Sequence, residues 1–202
     1  MSGGVFYGII TGMNTKNKMI VIMGGPGTGK GTFSRMLHDL RPEYTHIETG
    51  AILRAQPDNS PIRQIIAGGN LIPDAMVSNL VAQHINQTQG DIILDGFPRT
   101  LAQAQWLINN FAQKYDIHVI YLNAPDSIMI QRINKRKAAG SNRKDDNSIT
   151  TIQHRIETFH ITTMPAIEWM ATRAGDITFS DVDSSEEESA NFARILHALK
   201  WD

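Results

Sequence analysis

Short apolar runs recur along the chain, separated by longer segments with a different pattern. The clearest runs are residues 19–23 (Met-Ile-Val-Ile-Met), 92–94 (Ile-Ile-Leu) and 119–122 (Val-Ile-Tyr-Leu). Weaker runs at 44–47 and 177–179 bring the expected number of strands to about five. Uninterrupted apolar runs of this length are typical of strands covered on both faces. The pattern therefore predicts buried strands at these places.

The segments between the runs carry apolar side chains at helical spacing. Three of them place such residues on one face: 77, 80, 81 and 85; 101, 104, 108 and 111; and 192, 195, 196 and 199. Strands that alternate with helices predict an α/β fold, in which a five-stranded parallel sheet is covered by helices on both faces. Ligands of such folds bind at the carboxyl ends of the strands.

Three regions lie outside this alternation. Residues 1–18 precede the first strand and are predicted to form an N-terminal extension, which leaves 19–202 as one domain. Residues 49–74 carry prolines, a Gly-Gly pair and short polar residues, and residues 137–148 are polar and contain glycine. Because such composition is typical of loops, we interpret both segments as insertions at the edge of the sheet.

Composition narrows the classes of function. The chain has 202 residues and a formal net charge of −1, so it has no global basic field with which to hold nucleic acid. It has no cysteine, which excludes disulfides and cysteine-ligated zinc. No apolar run reaches the roughly 18 residues of a membrane-spanning helix, and the first residues lack the basic start of a secretory signal. We expect a cytoplasmic monomer with neither a membrane nor a nucleic-acid partner.

A glycine-rich segment joins the first strand to a predicted helix. It comprises residues 24–32, Gly-Gly-Pro-Gly-Thr-Gly-Lys-Gly-Thr. Glycines let backbone N–H groups turn towards an anion, and the helix N-terminus adds a positive end. Lys30 adds a full charge that can reach the outer phosphates of a nucleotide. The general pattern has Ser or Thr directly after the lysine, whereas here Gly31 stands there and the hydroxyl follows at Thr32.

Charged residues follow the strands at informative places. Asp95 ends the second clear strand, beside the glycine-rich segment, where a carboxylate can hold a hydrated Mg²⁺. Arg99 follows on a turn stiffened by Pro98. Further arginines lie in the insertions and on predicted helices, at Arg54, Arg132, Arg136, Arg143 and Arg155. A single arginine is typical of a solvated surface, but several beside a phosphate loop favour two nucleotide sites, because guanidinium groups neutralise phosphates with fixed geometry.

Five motifs in order resemble those of adenylate kinases. The phosphate loop at 24–32, with glycine after the lysine, is similar to theirs, and 49–54 (Thr-Gly-Ala-Ile-Leu-Arg) resembles their monophosphate-binding segment. Residues 69–74 (Gly-Asn-Leu-Ile-Pro-Asp) and 95–100 (Asp-Gly-Phe-Pro-Arg-Thr) also match, as does 143–147 (Arg-Lys-Asp-Asp-Asn) at the end of a short lid. The resemblance extends from residue 19 to about residue 183.

The resemblance implies transfer of the terminal phosphoryl group of Mg-ATP to AMP, giving two ADP. It also implies an AMP-binding insertion at about 48–77, a short lid at about 137–148 that needs no zinc, and a magnesium ion held by Asp95 through water. The residues implied to bind ATP are Gly27, Thr28, Gly29, Lys30, Gly31, Thr32, Arg132 and Arg136. Those implied to bind AMP are Thr49, Gly50, Arg54, Leu71, Ile72, Gly96, Arg99 and Gln103. Those implied to surround the transferring group are Lys30, Arg99, Arg132, Arg143 and Arg155.

Two departures from the family leave alternatives open. The segment between Thr49 and Ile72 is shorter than usual, which allows a differently shaped acceptor pocket and a kinase acting on UMP or CMP. Gln103 favours AMP, since relatives acting on pyrimidine monophosphates usually have asparagine there. The run from Arg143 to Arg155 is one residue longer, and one residue turns a helix by about a third of a turn. A non-catalytic nucleotide-binding protein is the remaining alternative.

Overall fold

The computed structural model of this protein describes residues 16–67, 72–139 and 149–201. Within them, five parallel strands form one sheet: β1 (Asn17–Gly24), β2 (Thr45–Glu48), β3 (Ile92–Asp95), β4 (Tyr115–Asn123) and β5 (Thr178–Asp183). Their order across the sheet is β2-β3-β1-β4-β5. The predicted α/β fold with a five-stranded parallel sheet is confirmed.

The first strand lies at the centre of this sheet, between β3 and β4. After β1 the chain moves to one edge of the sheet, whereas after β3 it passes β1 to the other side. Neighbouring strands whose connections leave in opposite directions open a crevice at their carboxyl ends, where the ligands of α/β folds bind. The glycine-rich segment leaves β1 at this crevice.

Side chains of β1 enter two hydrophobic cores, one on each face of the sheet. Met19 and Val21 belong to one core, and Ile20 and Ile22 belong to the other. Each of the four is at most 2% exposed. A strand that is apolar on both faces is stable only where both faces are covered, so this sequence specifies a central strand.

Helices cover both faces of the sheet. They are α1 (Lys30–Leu40), α2 (Thr49–Arg54), α3 (Pro61–Ala67), α4 (Asp74–Gln87), α5 (Leu101–Phe111), α6 (Asp126–Ala138), α7 (Ile149–Thr158), α8 (Met164–Ala171) and α9 (Glu188–Leu199). Apolar residues of α1 and α9 pack into one core, while those of α4 to α8 pack into the other. The predicted insertion at 49–74 contains α2 and α3.

A π-helical turn at Phe159–Thr163 joins α7 to α8. The N–H group of Met164 donates to the carbonyl of Phe159, five residues earlier, and Pro165 follows with no N–H group to continue the usual ladder. The Thr163 hydroxyl donates to the carbonyl oxygen of Arg99 at 3.0 Å. This turn therefore ties the end of α7 to the loop that follows β3.

Several strand boundaries differ from those predicted. β4 begins at Tyr115, ahead of the apolar run at 119–122. The run alone does not predict this earlier start, because Asp116 and His118 interrupt the hydrophobic pattern in the first half of the strand. β1 begins at Asn17, inside the predicted N-terminal extension. In these two strands hydrogen bonding to neighbours, rather than the apolar run alone, decides where the strand begins.

Parts of the predicted functional segments lie outside the described residues. They include Leu71 of the AMP-binding insertion, Arg143 with most of the predicted lid, and most of the N-terminal extension. Of the helices in the described part of the chain, none combines the length and the apolar character needed to cross a membrane.

Candidate active site

The loop after β1 is shaped by glycines in the left-handed region of backbone conformation. Gly27 has φ of 83° and Gly29 has φ of 95°, values that side-chain-bearing residues rarely adopt. A Cβ atom on Gly27 would lie 2.6 Å from the carbonyl oxygen of Met129 on α6. These positions let the loop turn tightly over α6 before α1 begins at Lys30, with the helix N-terminus directed at the crevice.

Lys30 is held at this loop by the loop itself. Its Nζ donates to the carbonyl oxygens of Gly24 and Gly25, at 2.7 Å in each case. The hydroxyl of Thr28 also donates to Gly25, at 2.9 Å, and Thr28 is only 1% exposed. The Thr28 side chain therefore stabilises the loop, while the ammonium group of Lys30 lines the cleft described below.

Asp95 ends β3 beside this loop, as the sequence predicts. It is 6% exposed, and burial raises the pKa of its carboxyl group, an effect that the positive charges of Lys30 and His46 oppose. Its Oδ2 lies 3.4 Å from the place that a Cβ on Gly31 would occupy. The glycine after the lysine thus lets the carboxylate approach the start of α1 closely.

Thr49, Gly50 and Arg54 follow β2 on the short helix α2. Thr49 is 2% exposed, and its hydroxyl has no hydrogen-bond partner among the described residues. Its Cβ lies 3.9 Å from the place of a Cβ on Gly96, so the hydroxyl stands beside the loop after β3. Arg54 Nη2 donates to Oε1 of Glu48, the last residue of β2, at 2.7 Å.

The loop after β3 carries Arg99. Gly96 has φ of 80°, and a cis peptide bond joins Phe97 to Pro98. The Nε of Arg99 donates to the carbonyl of Gly96 at 2.9 Å. The side chain of Arg99 is thereby folded back over its own loop and lines the cleft.

The buried side chain of Gln103 braces this loop. Its Oε1 accepts from the backbone N–H of Arg99 at 2.8 Å, and its Nε2 donates to Asp74 at 2.7 Å. Among the described residues, these contacts use one of the two amide protons and one of the two oxygen lone pairs, which leaves one hydrogen-bonding valence at each end. Ile72 packs against the core near this point.

The two arginines of α6 occupy different positions. Arg136 lines the cleft, together with Arg155 from α7. Arg132, in contrast, is not among the cleft-lining residues in the described part of the chain; its guanidinium group donates to the backbone carbonyls of Ser184, at 2.6 Å, and Glu186. Arg132 therefore lies against the loop between β5 and α9, away from the predicted centre of phosphoryl transfer.

Together these elements enclose a cleft of about 370 Å³ at the carboxyl ends of β1, β2 and β3. Its acidic lining residues, within the described ranges, are Glu48 and Asp95. Its cationic ones, within the same ranges, are Lys30, Arg54, Arg99, Arg136 and Arg155. These cations come from elements distant in sequence and surround a polar space that suits phosphate groups.

Sequence reasoning assigned no role to several residues that line this cleft. Thr158, Phe159 and Thr163 belong to the end of α7 and the π-helical turn, and no motif marks them. Glu48 has a signal that could have found it, since it ends a strand directly before Thr49. In the described residues, histidines and carboxylates form no group of three with the geometry of a metal site.

Comparisons with known proteins agree with this arrangement. The family model described as adenylate kinase matches residues 22–174. The chain is 34% identical over 190 residues to the adenylate kinase of Cyanothece sp. (strain PCC 7425 / ATCC 29141), which covers 89% of this chain and 94% of that protein. It is 37% identical over 160 residues to the adenylate kinase of Bacteroides thetaiotaomicron, covering 74% and 82% respectively. For the adenylate kinase of Chlamydia muridarum the identity is 30% over 230 residues, covering 93% and 89%. With the fold, the phosphate loop and the cationic cleft in agreement, this chain belongs to the adenylate kinase family.

Proposed function

We propose that the cleft transfers the terminal phosphoryl group of Mg-ATP to AMP and releases two ADP. As a member of the adenylate kinase family, the chain is a phosphotransferase. The observation that carries the proposal is the convergence of cations from α1, α2, α6, α7 and the β3–α5 loop on one cleft. A single nucleotide at a phosphate loop does not require cations from so many elements, whereas two phosphate chains placed end to end do.

For the donor end, we assign the triphosphate of ATP to the phosphate loop and its base to the side of α6. Gly27, Gly29, Gly31 and Thr32 line the cleft next to Lys30, so backbone N–H groups and an ammonium group meet the phosphates there. Arg136 supplies a second cation. Hydrogen bonds to the carbonyls of Ser184 and Glu186 fix the guanidinium group of Arg132. Because a fixed, planar guanidinium group suits stacking on a base, we assign Arg132 to ATP binding rather than to the transferring group.

For the acceptor end, we assign the AMP phosphate to Arg54 and Arg99, and its base to the pocket beside Thr49. The unpartnered, buried hydroxyl of Thr49 supports this, because a buried polar group without a partner is unfavourable and a base edge could satisfy it. Gln103 keeps one donor and one acceptor for the same base. Gly50, Gly96 and Ile72 shape this end, and we propose that Leu71 does so as well.

The proposed reaction needs no general base on the protein. The second pKa of a phosphate monoester is about 6, so the attacking oxygen of AMP is largely unprotonated at neutral pH. The protein contributes alignment of the two phosphates and charge stabilisation of the transferring group. We assign these roles to Lys30, Arg99 and Arg155, with Arg143 completing the set when the lid closes and excludes water.

Asp95 is the residue that fits a magnesium ion. Its carboxylate lies next to the start of α1 and to Lys30, and its buried position explains the raised pKa that a cation would lower again. We propose that it orients the hydration shell of the ion that accompanies ATP. When bound, Mg²⁺ neutralises charge that develops on the phosphate oxygens.

We further propose a cytoplasmic monomer that acts on these nucleotides without a nucleic-acid or membrane partner. A formal net charge of −1 gives the chain no general attraction to nucleic acid or to anionic membranes. A chain without cysteine needs no oxidising compartment in which to form disulfides. Size-exclusion chromatography with light scattering tests the oligomeric state. A mass near 22.5 kDa across a hundredfold range of concentration is expected.

The test of the proposed function is an ADP-release assay with Mg-ATP and each of AMP, CMP, UMP and GMP. We expect AMP to give the highest kcat/KM. Faster turnover of CMP or UMP would replace the acceptor and keep the reaction type. Tight binding of ATP without turnover of any monophosphate would contradict catalysis and favour a nucleotide-binding role.

A further inference from the structure

Glu48 places a carboxylate inside an otherwise cationic acceptor end of the cleft. It is the last residue of β2 and is paired in register with Asp95, the last residue of β3. Both carboxylates line the cleft, and Glu48 is the one that forms an ion pair with Arg54. An anion at this place opposes the binding of a second anion, the acceptor phosphate, so its presence calls for a physical role.

The carboxylate of Glu48 holds the arginine that we assign to that phosphate. Arg54 Nη2 lies 2.7 Å from Glu48 Oε1, and the two side chains are 68% and 34% exposed. The pair is seated over Gly50, where a Cβ atom would lie 2.9 Å from Arg54 Nη1 and 3.5 Å from Glu48 Oε1. Partly exposed ion pairs are weak, so a phosphate dianion with three acceptor oxygens can displace the carboxylate.

We propose that Glu48 is a positioning residue that competes with the acceptor phosphate for Arg54 and thereby raises the KM for AMP. This inference rests on the proposed function. Without acceptor, Glu48 keeps the guanidinium group of Arg54 over Gly50 at the edge of the cleft. AMP must exchange its phosphate for that carboxylate, so part of its binding free energy is spent on releasing the pair. We expect donor binding to change little, since the ammonium group of Lys30 is bonded to Gly24 and Gly25 of the phosphate loop itself.

The substitution Glu48→Gln tests the competition because glutamine keeps the shape and one acceptor oxygen but loses the charge. We expect the Kd for AMP, measured by calorimetry without ATP, and the KM for AMP to fall about two- to fivefold, the factor that a partly exposed ion pair is worth. The kcat and the KM for ATP should stay within about twofold of the parent protein. Glu43→Gln is the matched control, since Glu43 faces Arg41 at 3.8 Å on the surface outside the cleft.

The same substitution in an Arg54→Ala background separates competition from other effects. If Glu48 acts through Arg54, Glu48→Gln changes the Kd for AMP much less when Arg54 is absent. An equal decrease in both backgrounds would mean direct repulsion of the phosphate and overturn the proposal. An unchanged or increased Kd in the single variant would also overturn it, because Glu48 would then be neutral or would orient Arg54 for binding. Failure of the proposed function shows separately, as absence of AMP turnover by the parent protein.

Discussion

The main chain of Arg99 is held by two contacts that do not involve its side chain. Its N–H group donates to Gln103, and its carbonyl accepts from Thr163. Truncation of the side chain therefore leaves the loop between β3 and α5 anchored. This separation makes Arg99 a clear residue-scale test of the acceptor site.

We expect Arg99→Ala to lower kcat about 10²- to 10³-fold, the effect of losing one donor that stabilises charge in a transition state. The Kd for ATP should remain within about twofold, because we assign ATP to the phosphate loop and Arg99 to the acceptor phosphate. Steady-state kinetics and ATP titration measure the two quantities. Arg41→Ala, which removes a surface arginine outside the cleft lining, is the control. A comparable loss of ATP affinity would place Arg99 at the donor instead.

Asp95 is a residue whose burial opposes folding at neutral pH. Burial raises its pKa above the ordinary 3.8, so the carboxyl group holds its proton more tightly in the folded protein than in the unfolded chain. As the pH rises from 3.8 through the raised pKa, the unfolded chain loses its proton first and folding becomes less favourable; above that range the penalty is complete. Burying this carboxylate therefore costs stability, which is consistent with the magnesium-binding role that we propose for it.

We therefore expect Asp95→Asn to raise the Tm of the nucleotide-free protein at pH 7–8, because the substitution removes the buried charge. The difference should shrink as the pH falls towards 3.8 and below. Thermal unfolding at a series of pH values measures it, with Asp116→Asn on the exposed face of β4 as the control. A lower Tm at pH 7–8 would show that the cations around Asp95 outweigh its burial.

Among the secondary-structure elements, those that depend on local pattern agree best with the sequence. The apolar runs at 19–23 and 92–94 lie inside β1 and β3 as predicted, because only a covered strand accepts them, although β1 begins two residues before its run, at Asn17. The π-helical turn at Phe159–Thr163 has no such pattern, since it is defined by one shifted backbone hydrogen bond.

The positions and contacts of individual side chains also differ in how well the sequence predicts them. The cations of the cleft were predictable because motifs fix their place relative to the strand ends. The contact of Arg132 was not, because Ser184 lies 52 residues further along the chain and offers only a backbone carbonyl. The pair of Glu48 and Arg54, six residues apart across a strand end and a helix, has no periodic signal either.

The phosphate loop, which joins β1 to α1, packs closely against α6. A Cβ on Gly27 would meet the Met129 carbonyl at 2.6 Å, a contact that requires one element to move. Gly90 offers a matched comparison, since its φ of 101° is equally unusual but nothing lies within 4 Å of its Cβ position. The pair separates loss of the loop's shape from backbone strain alone.

We expect Gly27→Ala to weaken ATP binding at least tenfold, whereas Gly90→Ala should lower stability by about 1–2 kcal/mol and leave the Kd for ATP unchanged. Calorimetric titration and denaturant unfolding measure these quantities. Equal ATP affinities in both variants would mean that the loop tolerates a shift against α6. The Kd for AMP serves as an internal control in Gly27→Ala, because the acceptor end is formed by other elements.

For the whole molecule, the central question is whether one cleft holds two nucleotides at once. The sheet order brings the ends of β1, β2 and β3 together at one cleft, and we propose that donor and acceptor share this cleft but use different cations. In this proposal Lys30 and Arg136 bind the donor, and Arg54 and Arg99 bind the acceptor. A ligand that binds only the folded state stabilises it by about 2.7 kcal/mol at 100 times its Kd.

We therefore expect AMP alone and a non-hydrolysable ATP analogue alone each to raise the Tm by about 5–10 °C at 100 times their Kd, since about 1 kcal/mol shifts a chain of this length by about 2–4 °C. Added together, they should give about the sum of the two shifts, because in the proposed arrangement each occupies its own set of cations. Thermal unfolding of the parent protein measures all three, with adenosine as the ligand that lacks the phosphate. A combined shift no larger than that of the analogue alone would mean that both nucleotides compete for the phosphate loop, and the two-site proposal would be wrong.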